Sequence, residues 1–133
     1  MGVSGGYHSI SHHGQQEDKI RALITLEKYQ TEQFARFLRK LQASREQGSR
    51  SSLLDDTIVL FGSGMGNGNS HTNTNLPMIV AGAGFQHGQH LSYLENAKNE
   101  PLSNLYLSII NRMGIDDRRF CKSAGQLTGF DFA

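Results

Sequence analysis

The chain has 133 residues, 37% of them apolar, with 15 glycines and a single cysteine, and its 13 basic and 12 acidic side chains leave a formal charge of +1. That length and apolar share suit one small globular domain and exclude a wholly disordered chain, while the balanced charge, without a basic or acidic block, supports neither nucleic-acid binding nor a polybasic membrane contact. No run approaches the roughly 18 apolar residues of a membrane span, the first residues lack the pattern of a secretory signal, and Cys121 alone cannot build a disulfide framework or a cysteine-rich zinc module.

The first 14 residues read as a loop rich in glycine and histidine. Residues 17–47 then read as one long amphipathic helix, since Ile20, Leu23, Ile24, Phe34, Phe37, Leu38 and Leu41 recur at helical spacing with no Pro or Gly between them. Glu17 and Asp18 in the first turn and Arg39, Lys40 and Arg45 towards the end complement the helix dipole, and Gly48 is the expected stop before a polar turn at 49–52.

Two uninterrupted apolar runs follow, at 57–61 and 77–81, both rich in β-branched residues and flanked by glycine. Strands apolar at every position are expected to be covered on both faces. The sequence therefore predicts an α/β fold, part of a mostly parallel sheet with helices on both faces, with the long helix as a crossover connection. A second helix is marked by Pro101 at its start, by Leu102, Leu105, Tyr106, Ile109, Ile110 and Met113 on its face, and by Gly114 just past its end. The tail from residue 121 shows only a weak apolar pattern and no regular element is expected there. Two buried strands are fewer than a two-sided sheet needs, so residues 1–133 are expected to be a portion of one domain, completed by an upstream segment or by a second copy of the chain.

Between the strands lies a polar stretch, residues 62–76, with no helical or strand pattern of its own. Connections of this length are usually functional or mobile, and a flexible glycine turn is the plain alternative. Its spacing fits neither the dinucleotide fingerprint nor a P-loop. Alternate glycines still let the backbone approach a ligand closely, and Gly64, Gly66, Asn67, Gly68 and Asn69 are the candidate donors of N–H groups to an anion. Histidines gather at Tyr7-His8-Ser9-Ile10-Ser11-His12-His13-Gly14 and at His71, with His87 and His90 further on. Neutral imidazoles suit zinc as ligands, although spacing alone favours surface or hydrogen-bonded histidines. Cys121, in Arg118-Arg119-Phe120-Cys121-Lys122, has no histidine beside it and is not expected to be a nucleophile.

The order of these motifs resembles the C-terminal half of the alkaline phosphatase superfamily, which includes the cofactor-independent phosphoglycerate mutases and the sulfatases. His8-Ser9-Ile10-Ser11-His12-His13-Gly14 is similar to an aspartate, three spacer residues and a histidine ahead of a long helix, with His8 in the aspartate's place. Phe61-Gly62-Ser63-Gly64-Met65-Gly66-Asn67 stands where that superfamily has a strand ending in an Asp-His-Gly-Asn turn, and His71-Thr72-Asn73-Thr74-Asn75-Leu76-Pro77-Met78-Ile79-Val80 resembles its His-Thr pair before an apolar strand. The wording from Ser4-Gly5-Gly6-Tyr7-His8 through Pro101-Leu102-Ser103-Asn104-Leu105 is closer still to a family of bacterial exported proteins known only as a domain of unknown function.

The resemblance implies one divalent, zinc-like ion on His8, His12 and His71, and an exported or periplasmic location. It also implies loss of a second metal site, because Gly64 and Met65 replace the ligating Asp-His pair. The superfamily's nucleophile lies in an N-terminal half, and Ser63 and Ser70 lack an activating motif. The expected function is therefore an alkaline-phosphatase-like, metal-binding domain without catalytic activity as this chain alone. The alternative is a metal-dependent hydrolase of phosphate or sulfate esters when completed by an N-terminal half.

Overall fold

The computed structural model describes residues 3–93 and 100–129. Among them the order of elements is α1 (Tyr7–Ser11), α2 (Glu17–Ala43), β1 (Val59–Gly62), β2 (Met78–Ala81) and α3 (Leu102–Arg112), a mixed α/β arrangement. Positions 130–133 of the expected irregular tail lie outside the described residues; positions 121–129 form turns and bends with no helix or strand.

The sheet departs from expectation. β1 and β2 pair with each other, antiparallel, with Val59 opposite Ala81 and Gly62 opposite Met78. The stretch between them is thus a long hairpin connection, not the exit from a parallel strand. Nor are the strands covered on both faces: β1 is half-buried apart from an exposed Gly62, and in β2 Ile79 remains 42% exposed while Ala81 is buried. An uninterrupted apolar run looks the same in either strand direction, and only the partner decides.

α2 forms where its periodicity demands, but ends at Ala43 instead of running on to Gly48. Ser44 turns into extended geometry while its N–H still bonds the Leu41 and Lys40 carbonyls, and the Ser44 carbonyl accepts the Leu53 N–H at 2.9 Å. The chain folds back before the glycine is reached, so Gly48 sits in the following turn. Phe34 of α2 stacks on Phe61 of β1, ring centroids 4.6 Å apart and 15° from parallel. α2 otherwise lies mainly against α1.

α1 occupies the stretch expected to be loop. Its five residues are too few to be stable alone, and they are anchored by Ile10, which is 4% exposed. α3 begins after Pro101 and stops at Arg112, with Gly114 in the left-handed region (φ 86°) that favours glycine after a helix. Among the described residues the buried apolar side chains are Ile10, Ala81, Phe85, Leu105 and Leu107. No helix among the described residues is long and apolar enough to cross a membrane.

Candidate functional site

The site begins with helical geometry. His8 lies in α1 and His12 is its C-cap, with its N–H bonded to the His8 carbonyl at 3.2 Å. Residues four apart on a helix share a face, and the two rings meet edge to face with centroids 4.6 Å apart.

His71 reaches the same place from the loop between β1 and β2. Its ring centroid is 4.7 Å from that of His12, and the two Nε2 atoms are 3.0 Å apart. Two nitrogens at that distance share one proton, one ring donating and the other accepting. Removal of His12 from bulk water, followed by the charges of His8 and then His71, lowers its pKa from the usual 6.5, which favours the neutral ring. His13 faces elsewhere: its Nδ1 accepts the Gln15 N–H at 3.1 Å.

The structure thus places the His8 ring against His12 and the His12 ring against His71, the latter two 59 residues apart in the chain. As placed, they form a facing pair with a third ring at its side. Among the described residues no three His, Cys, Asp or Glu side chains are arranged to hold an ion jointly. The donor chemistry nevertheless fits a zinc-like cation. Two nitrogens on one tetrahedral zinc stand about 3.3 Å apart for bonds of about 2.05 Å, close to the separation of the His12 and His71 Nε2 atoms. His87 is occupied separately, since its Nε2 accepts the Gly82 N–H at 3.2 Å.

The loop is more ordered than its composition suggests. Gly66 N–H donates to the Thr72 carbonyl at 2.9 Å and Thr72 N–H returns to the Asn67 carbonyl at 3.2 Å, a one-bridge miniature of a hairpin. Asn67 Oδ1 accepts the N–H groups of Asn69 and Ser70 at 2.9 and 3.2 Å, closing an Asx turn. A Cβ on Gly66 would run into the Thr74 carbonyl, so the close return of the chain needs glycine there. Of the five expected anion donors, Gly66 and Asn69 thus spend their N–H groups inside the loop; those of Gly64, Asn67 and Gly68 are the others.

The hydroxyls of Ser63 and Ser11 are engaged with backbone groups. Ser63 Oγ accepts the Met65 N–H at 3.1 Å and Ser11 Oγ donates to the His8 carbonyl at 2.9 Å. Cys121 is exposed, on a backbone of positive φ.

Two features escaped the sequence reading. The i, i+4 spacing of His8 and His12 is a helical signal that the surrounding glycines concealed. The side-chain oxygen of Asn69 accepts the Gly14 N–H at 2.8 Å, a link between the loop and the α1–α2 turn for which the sequence carries no local signal. Comparison of the chain with known protein families, with curated proteins and with solved structures finds no match.

Proposed function

We propose that the protein is a metal-binding domain of alkaline-phosphatase-like type, taking up one divalent ion of zinc character through His12 and His71, with His8 turning in as the third imidazole. The observation that supports it is the 3.0 Å approach of the His12 and His71 Nε2 atoms from segments 59 residues apart. Histidines scattered for solubility would not be gathered ring against ring, because His8 and His71 so placed make His12 harder to protonate. Three neutral nitrogens suit zinc better than magnesium or calcium, which prefer oxygen.

In this reading β1 and β2 form an antiparallel portion of a larger mixed sheet, an arrangement common in α/β proteins. The chain acts as a binder and not as a hydrolase: Ser63 and Ser11 are engaged with backbone groups instead of a ring nitrogen. A bound ion would supply Lewis acidity. The chain's own contribution is to keep His12 neutral and to hold His71 over it.

Elemental analysis after equilibration with zinc tests the proposal on the wild type and on the His12→Ala and His71→Ala variants. The expected result is about one ion per chain, lost in both variants. A metal-free wild type with unchanged helix content overturns it, and two ions per chain would show that the Gly64-Met65 replacement does not remove a second site.

A further inference from the structure

We infer that Asn69 is the positioning residue of the histidine cluster: its side-chain oxygen, on the Gly14 N–H, clasps the loop to the α1–α2 turn and thereby holds His71 against His12. The inference deepens the ion-binding reading given above and takes Asn69 out of the role of an anion donor.

The geometry is that of a two-point attachment. His12 and Gly14 are two residues apart on one segment, and Asn69 and His71 are two residues apart on the other. The outer pair meets through Asn69 Oδ1 and Gly14 N at 2.8 Å, the other through the two Nε2 atoms at 3.0 Å. Either contact alone would be weak, since both lie near water and each must offset the ordering of two segments. Once one is made, the other becomes nearly intramolecular, because the entropy of closing the long connection has already been spent.

The loop is built for this orientation of Asn69. Asn67 Oδ1 takes the Asn69 N–H, which fixes the backbone of Asn69 and leaves its side chain to reach outward. Gly68, between them, lies against Ser11 at the end of α1: a Cβ there would meet Ser11 Cβ at 3.4 Å. His71 itself sits at φ 53°, in the left-handed region that disfavours a residue carrying a side chain. Such a conformation persists where the surroundings over-determine it. The Asn69 clasp before it and the Thr72 N–H bond to the Asn67 carbonyl after it provide that constraint.

The test uses the full chain in three forms, wild type, Asn69→Ala and Asn69→Asp, the last keeping an acceptor oxygen in the same place. In metal-free protein, nuclear Overhauser contacts between the His12 and His71 rings and the exchange rate of the Gly14 amide report the clasp directly. Zinc alone is then titrated calorimetrically. The expected result is that Asn69→Ala loses the ring contacts, exposes the Gly14 amide and binds zinc about ten-fold more weakly, the scale of loss for an outer-shell partner, while Asn69→Asp retains all three. Circular dichroism of α2 separates this from a global failure to fold. Ring contacts and zinc affinity unchanged in Asn69→Ala would overturn the inference. If the wild type takes no zinc yet Asn69→Ala still loses the ring contacts, the ion-binding proposal fails and the positioning role stands.

Discussion

α2 and α3 are both amphipathic helices that the sequence announces plainly, and they are stabilised in different ways. α2 runs for 27 residues and buries none of them, leaving Ile24 and Phe37 at 59% and 47% exposure. α3 runs for 11 and buries four, Asn104, Leu105, Leu107 and Ser108. The long helix exceeds the roughly 12–15 residues below which an isolated helix is marginal. It also gains from Glu17 and Asp18 in its first turn, Lys40 in its last, and an exposed Arg21–Glu17 pair at 3.0 Å that contributes little by itself.

The short helix is held from outside. Asn104, Ser108 and Arg112, at i, i+4 and i+8, form a polar stripe that is not a solvated face. Asn104 Oδ1 accepts the Ala124 N–H, Ser108 Oγ accepts the Leu127 N–H, and Arg112 Nε donates to the Ala83 carbonyl, at 2.9, 3.0 and 2.8 Å. An amphipathic pattern therefore identifies a helix without saying which face does the holding. In α3 both faces do.

The sharpest way to break that contrast is to truncate one apolar residue in each helix. Leu107, 1% exposed, should cost about 2–5 kcal/mol as Leu107→Ala, whereas Ile24→Ala in α2 should stay within about 0.5 kcal/mol. Denaturant midpoints of the two variants measure both, and similar losses would show that α2 carries a packed face after all.

Next in size, Asn104→Leu should destabilise by about 1–3 kcal/mol despite its apolar replacement, because it strands the Ala124 N–H and the Glu100 carboxylate that Asn104 now serves. A neutral or stabilising outcome by the same denaturation assay would mean that the polar stripe is incidental. Ser108→Ala should be milder, about 1 kcal/mol, with its main effect local: faster hydrogen exchange at the Leu127 amide, and no change in the amides of α2.

The smallest effect concerns the turn after α2. Ser52 donates both its N–H and its hydroxyl to Asp55 Oδ2, at 2.7 and 2.8 Å. The backbone bond first, and the hydroxyl second, hold the Asp55 carboxyl below its usual 3.8. A depressed carboxylate stabilises the fold above its unfolded pKa, and that contribution is lost as pH falls through the lower folded value. Stability measured between pH 5 and pH 2 should therefore fall less steeply in Asp55→Asn than in the wild type.

The elements whose evidence is local were legible in the sequence. α2 and α3 follow from apolar spacing, from Pro101 and from Gly114, and β1 and β2 fall within the two apolar runs to within two residues. What depended on partners was not. The antiparallel pairing of Val59 with Ala81 is a contact across the whole intervening loop, and nothing in either run encodes its direction. The early end of α2 is set by Leu53 folding back onto Ser44, and α1 by the burial of Ile10. Ser52 and Asp55 do carry a local signal, a serine three residues ahead of an acid, as in a capping box. In the candidate site, the three histidines were singled out only as the ligand set that a family resemblance implies, and the Asn69 link to Gly14 was invisible, because a side chain reaching across 55 residues leaves no periodicity behind.

The 59-residue span between His12 and His71 also places their meeting late in time. A helix such as α2 forms in about a microsecond and a simple hairpin in about 1–10 microseconds, with a long connection slowing closure further. The approach of the two imidazoles is expected to follow the pairing of the strands and the closing of the loop, which bring the two segments together. Contacts of such high sequence separation are among the slowest to form. The ring resonances of His12 and His71 are thus a clock for the last stage of folding: a chain whose helices are complete but whose hairpin is open would show full helicity and two independent histidines.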